Sequence, residues 1–402
     1  MQTAIVIGGG IAGPVSALAL SKAGFQASVY EAYDNTAEGV GTFLTVASNG
    51  VDALRTLGVA ERVLADSIPT PAMRFHSARG SVLAEIPLGS PFDATVSRTV
   101  KRSTLYEALR DEAMRADVPV HHGKRLVDAV ETADGVTAHF EDGSTATADL
   151  LVGADGLRSR TRTIIDPDAP QARYVGMLNV GGYAQGVDVD SEPGVMHMVF
   201  GRRSFFGYIS HPTGDVWWFA NPISHDEEHG RSMARLSQEQ WREHLVEMFA
   251  RDRSPAVALI SATPDLRTGW STFDFPTVPR WHTDRMVIVG DAAHATSPSS
   301  GQGASQAIED AMVLARSVRD VHDLPLALAT FEGLRRERVE RVVEQGRRNG
   351  DYKRMGWFRR SVVLPLAFRQ VVARQGDPLA WATAHHIDWD APVRPVAAGL
   401  TR

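Results

Sequence analysis

The N-terminal segment constrains the fold more than any other part of the chain. Residues 4–31 read AIVIGGGIAGPVSALALSKAGFQASVYE: an apolar strand pattern, a glycine-rich turn, an apolar helix pattern and a second strand pattern with an acidic end. Glycines in this order let a pyrophosphate approach the backbone and the free amides of the helix, and a carboxylate about 20 residues on can bind a ribose. The segment therefore predicts a dinucleotide site, for either NAD or FAD. Its predicted residues are Gly8, Gly10, Ile11, Ala12, Gly13 and Glu31.

A second stretch, in the middle of the chain, also places glycine and aspartate after an apolar strand pattern. Residues 149–162 read DLLVGADGLRSRTR, and the alternating segment before them carries a turn signal at Asp142-Gly143. This pattern predicts a hairpin, then a strand-to-helix loop on which Asp155 can meet a ligand. An ordinary Asp-Gly turn without a ligand explains the local pattern equally well.

A third stretch repeats the arrangement near the C-terminal end. Residues 285–311 read RMVIVGDAAHATSPSSGQGASQAIEDA, so that Gly290 and Asp291 follow an apolar strand pattern and a helix pattern begins at about Gln302. Gly290 and Asp291 therefore stand at the tip of a predicted buried strand, ahead of a glycine-rich entrance to a helix.

These three motifs, with Arg102 before a further helix pattern, occur in the order and spacing of one known family. Over about residues 1–345 the chain resembles the class A flavin monooxygenases, the para-hydroxybenzoate hydroxylase-like family. The resemblance implies FAD rather than NAD at the N-terminal site, and a transient visit by NAD(P)H without a second site of that type. It also implies that Arg102 lies near the flavin phosphates or ribityl chain, that Asp155 serves FAD and the nicotinamide cofactor, and that Asp291 lies on the ribityl or pyrophosphate side.

The resemblance gives the third motif a role beside the flavin ring. Pro298, Gly301, Gly303 and Ala304 would let backbone approach the flat ring. The N-terminal amides of the following helix would stabilise a negative charge on the reduced ring.

Two other residues of this motif are compared with the family pattern. His294 matches the pattern Gly-Asp-Ala-Ala-His and is expected to be structural rather than a catalytic base. Ser305 departs from it, because many relatives carry Asn at that position, so a hydrogen bond to the flavin edge or to nearby backbone is expected to differ.

The expected fold is α/β, with a Rossmann-type FAD-binding domain and a mainly antiparallel β-sheet substrate domain. We assign residues 1–70, 98–172 and 276–345 to the FAD-binding domain. The substrate domain comprises residues 71–97 and 173–275. Residues 346–402 form a C-terminal helical segment and tail, for which the sequence leaves open a cover over the substrate entrance or a subunit contact.

The substrate pocket is expected on the short alternating segments between residues 173 and 275, which are rich in aromatic residues. Pockets for bulky ligands are mostly apolar with a few placed polar groups. No Ser-His-Asp set, metal cluster or carboxylate pair stands out, so no catalytic residue is assigned and no metal is expected; in a flavin hydroxylase the cofactor carries the chemistry. The candidate substrate residues are Tyr183, His197, Phe206, Tyr208, Trp218 and Asn221.

Composition excludes several other classes of protein. Lys and Arg number 42 against 48 Asp and Glu, a net charge of -6, so no global field favours nucleic acid. The absence of cysteine excludes disulfides and thiolate chemistry and fits the cytoplasm. No apolar run approaches the roughly 20 residues of a membrane span. We expect a monomer or a homodimer.

The predicted function is an FAD-dependent monooxygenase that uses NAD(P)H and O2 to hydroxylate an aromatic or polycyclic small molecule, in natural-product biosynthesis or aromatic catabolism. Baeyer-Villiger insertion, epoxidation and oxidative decarboxylation share the same motifs. The rival hypothesis is a redox-silent flavoprotein that catalyses a cyclisation or binds a ligand. A flavin halogenase and a plain NAD-dependent dehydrogenase are less favoured, the latter because it would not need the third motif.

Overall fold

The structure is a computed structural model that describes residues 1–34, 41–90, 93–354 and 379–395. Its strands are Thr3–Ile7 (β1), Gln26–Tyr30 (β2), Phe43–Val46 (β3), Ile68–Thr70 (β4), Ala72–Ser77 (β5), Val82–Pro87 (β6), Ser97–Lys101 (β7), Val120–His121 (β8), Leu126–Thr132 (β9), Gly135–Phe140 (β10), Thr145–Ala148 (β11), Leu150–Gly153 (β12), Arg173–Ala184 (β13), Val195–Phe200 (β14), Phe205–Ser210 (β15), Val216–Asn221 (β16), Arg267–Asp274 (β17) and Met286–Ile288 (β18). Its helices are Ala12–Lys22 (α1), Ser48–Leu57 (α2), Ala60–Val63 (α3), Arg102–Arg115 (α4), Arg160–Ile165 (α5), Glu227–Met233 (α6), Gln238–Phe249 (α7), Ala256–Ser261 (α8), Asp291–His294 (α9), Gly303–Asp320 (α10), Leu324–Arg354 (α11) and Ala380–Thr383 (α12).

A five-stranded parallel sheet in the order β18-β12-β1-β2-β8 carries the three sequence motifs. Its central strands are apolar without alternation, because helix α1 covers one face and the antiparallel strands β9 to β11 lie against the other. Strands β1, β12 and β18 are neighbours, so the loops after them open at the same edge. The topology therefore brings the three motifs together although they are far apart in sequence.

A seven-stranded sheet in the order β17-β13-β16-β15-β14-β5-β6 forms the other half of the molecule. Its pairings are antiparallel except for β14 with β5, which is parallel. Helices α7 and α8 pack on one face, where Trp218, Phe206, Trp241 and Phe249 are buried together. The opposite face turns toward the parallel sheet. A smaller sheet, β3-β7-β4, lies between the two halves.

The predicted α/β fold, with a Rossmann-type half and a mainly antiparallel sheet, is confirmed, as is the hairpin of β10 and β11. Strands β5 and β6 join the same sheet as β13 to β17, but the domain boundaries stay a prediction. Helix α4 begins at Arg102 rather than after it, because Lys101 has extended backbone and takes the position before the first turn. Of the predicted C-terminal segment, residues 355–378 and 396–402 lie outside the described ranges. Every helix within those ranges is too short or too polar to cross a lipid bilayer.

Candidate active site

A cavity of about 460 Å³ lies between the carboxyl edge of the parallel sheet and the inner face of the seven-stranded sheet. One end is lined mainly by backbone and small side chains from the three motifs, and we call it the cofactor end. The other end is lined by side chains of the large sheet, and we call it the substrate end. Residues of the cofactor end include Gly10, Ile11, Ala12, Arg102, Ala154, Gly156, Asp291, Pro298, Gly301, Gly303 and Ala304, and those of the substrate end include Met73, Asn179, Met196, Met198, Phe219, Asn221 and Lys353.

The glycines of the first turn differ in what surrounds them. A Cβ at Gly13 would lie 1.8 Å from the carbonyl oxygen of Gly8, so only glycine lets helix α1 start this close to strand β1. Gly8 has φ of +108° and packs against the backbone of Ala154. A Cβ at Gly10 would meet no atom within 4 Å, because that position faces the cavity. Gly8 and Gly13 therefore shape the turn, whereas Gly10 leaves room for a ligand.

Glu31 lies against this turn at the end of β2. Its Oε2 accepts a hydrogen bond from the backbone N–H of Gly9 at 2.5 Å, and its Oε1 accepts one from Tyr33 at 3.0 Å. Glu31 thus fixes the turn, and its predicted contact with the ribose stays a prediction.

Asp155 lies on the loop between β12 and α5, but its side chain turns into the loop. The carboxylate accepts hydrogen bonds from the Ser159 hydroxyl at 2.5 Å and from the backbone N–H of Thr161 at 2.9 Å. The neighbouring backbone at Ala154 and Gly156, not the Asp155 side chain, lines the cavity. In this structure Asp155 therefore shapes the loop that faces the cofactor end.

Asp291 is the first residue of α9 and faces the cavity beside Arg102. It follows Gly290, which has φ of +59° and at which a Cβ would lie 3.2 Å from the Cβ atoms of Ala12 and Ala307. The Asp291 side chain is exposed to the cavity, but the protein atoms near the carboxyl desolvate it and raise its pKa, and the positive charge of Arg102 opposes this shift. The third motif thus meets the first motif through close packing at Gly290.

Arg102 brings a positive charge to the same end of the cavity. The first turn of α4 positions it, and its Nε donates to the hydroxyl of Tyr106 at 2.7 Å. The backbone N–H of Arg102 donates to the carbonyl of Thr42 at 3.0 Å, which fixes the start of the helix against the residue before strand β3. Arg102 can therefore meet an anionic group at the cofactor end.

The entrance to helix α10 forms a concave backbone surface at the cavity. Gly301 has φ of +65°, and a Cβ there would meet nothing within 4 Å. At Gly303 a Cβ would contact only the methyl group of Thr296, at 3.7 Å. The Thr296 hydroxyl is buried and has no hydrogen-bond partner among the described residues. These features fit a flat cofactor with polar edges, as FAD has, lying against the N-terminus of an 18-residue helix.

A buried ionic network lies behind this surface, and the sequence motifs did not predict it. Arg335 on α11 donates to Asp310 at 2.7 Å and to Glu309 at 2.5 Å, and all three side chains are at most 1% exposed. Asp310 also accepts a hydrogen bond from the backbone N–H of Gly290 at 2.8 Å and lies 2.5 Å from Nε2 of His294. The network ties helix α11 to the loop that carries Asp291, and His294 belongs to it instead of facing the cavity.

The network keeps both of its carboxylates ionised. Burial alone would raise the pKa of Glu309, but Arg335 and Arg338 lower it to about 2. Burial would likewise raise the pKa of Asp310, but His294 and Arg335 lower it to about 2. The sequence contained one signal of this network. Two adjacent acidic residues, Glu309 and Asp310, lie within the helix pattern of α10, and Arg335 and Arg338 lie within that of the next helix, α11.

Ser305 contributes to helix packing at the start of α10. Its hydroxyl accepts a hydrogen bond from the backbone N–H of Ala47 at 3.0 Å. A Cβ at Gly50 would lie 2.6 Å from that hydroxyl, so α2 and α10 approach closely here. In this chain the serine therefore serves contact between the two helices.

The substrate end is formed by one face of the seven-stranded sheet. Met198, Gly207 and Phe219 lie directly opposite one another on neighbouring strands, and Met196 lies opposite Met73. A Cβ at Gly207 would lie 2.3 Å from the Phe219 ring, so the glycine makes room for that ring. The face is thus apolar, sulfur-rich and aromatic, and it suits a planar organic molecule.

Four of the predicted substrate residues lie on the other face of this sheet. His197, Tyr208 and Trp218 are also directly opposite one another, and Phe206 stacks on Trp218 with ring centroids 5.4 Å apart. Their neighbours are α7, α8 and, for His197, the ring of His76. Side chains alternate between the two faces of a strand. A predicted contact residue that is one position off along the strand therefore lies on the face away from the cavity.

The remaining two predicted substrate residues lie on the inner face. Asn221 lines the cavity, and its amide donates to the side-chain oxygen of Asn179 at 2.6 Å. Tyr183 packs edge-on against Trp217 and donates its hydroxyl to the carbonyl of Thr42 at 2.8 Å. Of the six predicted residues, the structure therefore brings Asn221 to the cavity and Tyr183 to its border. Among the described residues there is no group of three or more side chains suited to bind a metal.

Comparison with known proteins finds relatives over most of the chain. The family model described as an FAD binding domain matches residues 1–346. The FAD-dependent urate hydroxylase of Klebsiella pneumoniae is 33% identical over 358 residues, covering 87% of this chain and 89% of the relative. The 3-amino-4-hydroxybenzoate 2-monooxygenase PtnB3 of Streptomyces platensis is 33% identical over 371 residues, covering 86% and 87%.

The solved structures agree with these relatives. The crystal structure of Klebsiella pneumoniae HpxO complexed with FAD and uric acid has a TM-score of 0.81 at 28% identity, and the match covers 92% of this chain and 93% of that protein. The expectation of FAD as the cofactor is confirmed by the family match, whereas the redox-silent alternative finds no support among the relatives. The chain belongs to the class A flavoprotein monooxygenases and is an FAD-dependent monooxygenase.

Proposed function

We propose that this enzyme uses NAD(P)H and O2 to insert one oxygen atom into an aromatic or heteroaromatic small molecule, most simply as a hydroxyl group. The observation that carries the proposal is the cavity itself, in which a glycine-lined end suited to FAD continues directly into an apolar aromatic face. The named substrates of two relatives, urate and 3-amino-4-hydroxybenzoate, are planar rings of the size that such a face accommodates.

The residues of the cofactor end have distinct proposed roles. Gly10 and the adjoining amides of α1 would hold the pyrophosphate, Glu31 the adenosine ribose, and Arg102 and Asp291 the phosphate and ribityl region. The backbone from Pro298 to Ala304 would lie against the isoalloxazine ring. When bound, FAD supplies the two-electron redox chemistry and the activation of oxygen.

The protein itself binds, orients and desolvates the substrate. Met196, Met198 and Phe219 form an apolar face that excludes water, and Asn179 and Asn221 place hydrogen-bonding groups on it. A substrate held in a fixed orientation reacts faster than one that moves freely. Exclusion of water also strengthens each polar contact between protein and substrate. No described residue is assigned as a proton donor or acceptor for the reaction.

The division of the chain into an FAD-binding domain and a substrate domain, with the boundaries predicted from sequence, is part of the proposal.

We also propose that the enzyme works in the cytoplasm, where NAD(P)H is available, as a monomer or homodimer. Light scattering of the FAD-loaded protein would measure its oligomeric state.

Anaerobic reduction of the bound flavin tests the proposed function. The absorption spectrum is followed while NADPH, and separately NADH, is added without oxygen, with and without a panel of hydroxylated benzoates, pyridines and purines. We expect the flavin band to bleach, and to bleach faster with at least one panel compound. A flavin band that persists under all these conditions would contradict the proposed function.

A further inference from the structure

A glycine lies beneath an aromatic ring at the substrate end of the cavity. Gly207 on β15 and Phe219 on β16 are directly opposite each other, and Phe219 lines the cavity whereas Gly207 is buried. A Cβ at Gly207 would lie 2.3, 2.5 and 3.1 Å from three atoms of the Phe219 ring. The ring therefore lies down on strand β15, in the space that the side chain of any other residue at position 207 would fill.

Two further rings flank the ring of Phe219. The centroid of the Phe43 ring is 6.0 Å away in an edge-on arrangement, and that of the Phe205 ring is 6.2 Å away. These neighbours limit movement of the Phe219 ring along the surface of the sheet. A side chain at position 207 would therefore displace the ring away from the sheet and into the cavity.

The backbone at this position is compatible with a side chain. Among the described residues, Gly207 is not one of the glycines with a positive φ, and it lies within a regular strand. The atoms that a Cβ would meet belong to the far end of the Phe219 side chain and not to backbone. Alanine at position 207 would thus keep the strand and move the ring.

The lowered ring extends an apolar surface across neighbouring strands, which we call the apolar floor. Met198 on β14, Gly207 on β15 and Phe219 on β16 are lateral neighbours. Because neighbouring strands are about 4.8 Å apart, the floor from Met198 to Phe219 is roughly 10 Å wide. Met196 also lines the cavity and continues the floor along β14. A single aromatic ring covers only part of this width, whereas two fused rings cover most of it.

We propose that Gly207 is a positioning residue for substrate specificity: by letting the Phe219 ring lie down, it opens the substrate end to planar molecules with two fused aromatic rings. The inference rests on the proposed function and assigns the size of the accepted substrate to the pair of Gly207 and Phe219. In an apolar pocket, a difference of one methylene group already discriminates between substrates by roughly 10- to 200-fold. A raised phenyl ring removes more room than that.

The test compares ligands that differ by one fused ring. Dissociation constants of salicylate and 3-hydroxy-2-naphthoate, and of 4-hydroxypyridine and 4-hydroxyquinoline, are measured on the FAD-loaded protein from the change that each ligand causes in the flavin spectrum. The first pair is anionic and the second is uncharged, so the comparison of sizes does not depend on ligand charge. We expect the two-ring member of at least one pair to bind more tightly than its one-ring partner.

Three variants test the role of the glycine. Gly207→Ala should weaken binding of that two-ring ligand by about tenfold or more, because the raised Phe219 ring takes its space, and should change binding of the one-ring partner by less than about threefold. Gly207→Ala combined with Phe219→Leu should recover most of the lost affinity, since no ring is left to be raised. Phe219→Trp, which enlarges the ring and leaves the glycine intact, should act in the same direction as Gly207→Ala. It keeps the proposal testable if Gly207→Ala fails to retain FAD.

A glycine on the other face of the same sheet serves as the matched control. Gly182 is directly opposite Trp218 on the covered face, and a Cβ there would lie 2.4 Å from Cγ2 of Thr263. Gly182→Ala therefore introduces a clash of similar closeness away from the cavity. It should lower the melting temperature without changing the relative affinity for one-ring and two-ring ligands.

Several outcomes would overturn the inference. Tighter binding of the one-ring member in both pairs, no binding of any of these ligands, or an equal loss of affinity for both members in Gly207→Ala would each contradict it. An unrecovered two-ring ligand in the double variant, or the same change of preference in Gly182→Ala, would do so as well.

Failure of the proposed function is distinguishable from failure of this inference. In that case NAD(P)H would not bleach the flavin of the wild type or of any variant with any ligand. Two-ring ligands that accelerate bleaching as strongly in Gly207→Ala as in the wild type would leave the function intact and remove the role of Gly207.

Discussion

The two ends of the cavity are lined by different kinds of groups. At the cofactor end the lining is backbone, small side chains and helix N-termini, contributed by loops that follow parallel strands. At the substrate end the lining is large side chains on one face of a mainly antiparallel sheet. A cofactor common to a family can be bound by shared backbone geometry, whereas a substrate particular to one member requires particular side chains.

Substitutions at two glycines should show the largest effect at the cofactor end. Gly10→Ala should fold normally, because a Cβ there meets no atom within 4 Å, but it should weaken FAD binding by about tenfold or more because the methyl group takes the space of the pyrophosphate. Gly13→Ala should destabilise the FAD-free protein itself, since its Cβ would lie 1.8 Å from the Gly8 oxygen. FAD content and the melting temperature of the FAD-free proteins measure the two effects. Full FAD occupancy in Gly10→Ala would contradict the assignment of this end.

The buried network should matter more than any surface ion pair. Arg335→Met leaves the buried carboxylates of Glu309 and Asp310 without a main partner, and should lower the free energy of unfolding by about 3–5 kcal/mol. Arg348→Met, which removes an exposed pair with Glu344, should cost about 0–1 kcal/mol. Urea denaturation of the FAD-free proteins makes the comparison. Similar losses in both variants would show that the network is not a main support of the cofactor end.

The two faces of the large sheet can be separated by one substitution on each. Phe206→Ala, on the face covered by α7 and α8, should destabilise the protein by about 3–5 kcal/mol without changing the affinity for ligands. Phe219→Ala, on the cavity face, should weaken the binding of aromatic ligands and leave FAD content unchanged. Ligand titration of the flavin spectrum and thermal unfolding measure the two effects. Weaker ligand binding in Phe206→Ala with an unchanged melting temperature would reverse the assignment of the faces.

The smallest expected effect is a pH dependence of stability on the covered face. Burial lowers the pKa of His197 from its usual 6.5 to about 4, with a further contribution from His76. The unfolded chain therefore binds this proton at higher pH than the folded protein does. The contribution of this group to stability should be complete above about pH 6.5, decline by at most ~1.4 kcal/mol per pH unit as the pH falls from about 6.5 to about 4, and be lost below about pH 4. In His197→Gln, the free energy of unfolding should depend less on pH in this range. An unchanged dependence would show that His197 does not cause it.

The cofactor end could be predicted from the sequence because its signals are local. Glycine spacing, strand patterns and acidic strand ends indicated the loops that line it, and parallel strands necessarily place those loops at one edge. The structure adds details that spacing does not contain, such as the Asp155 carboxylate turned into its own loop. The network around Arg335 also went unpredicted, because buried ion pairs depend on which helix faces meet.

The substrate end was harder to predict because its decisive signal is the phase of alternation along each strand. In β15 and β16, aromatic residues occur on both faces, so composition did not distinguish Phe219 from Trp218. Gly207 was the available clue, since a glycine opposite a large ring marks the side on which that ring needs room. Lys353 could not be predicted at all from local pattern, because a long helix brings it to a sheet far away in sequence.

Labelled dioxygen provides the most direct test of the central claim, that this cavity holds FAD beside an aromatic substrate for oxygen insertion. The enzyme is supplied with NAD(P)H, labelled O2 and the panel compound that most accelerates flavin reduction, and the product is analysed by mass spectrometry. The account predicts that one labelled oxygen atom enters each product molecule and that no product forms without oxygen. Product that forms without oxygen, or that carries oxygen from water alone, would contradict it.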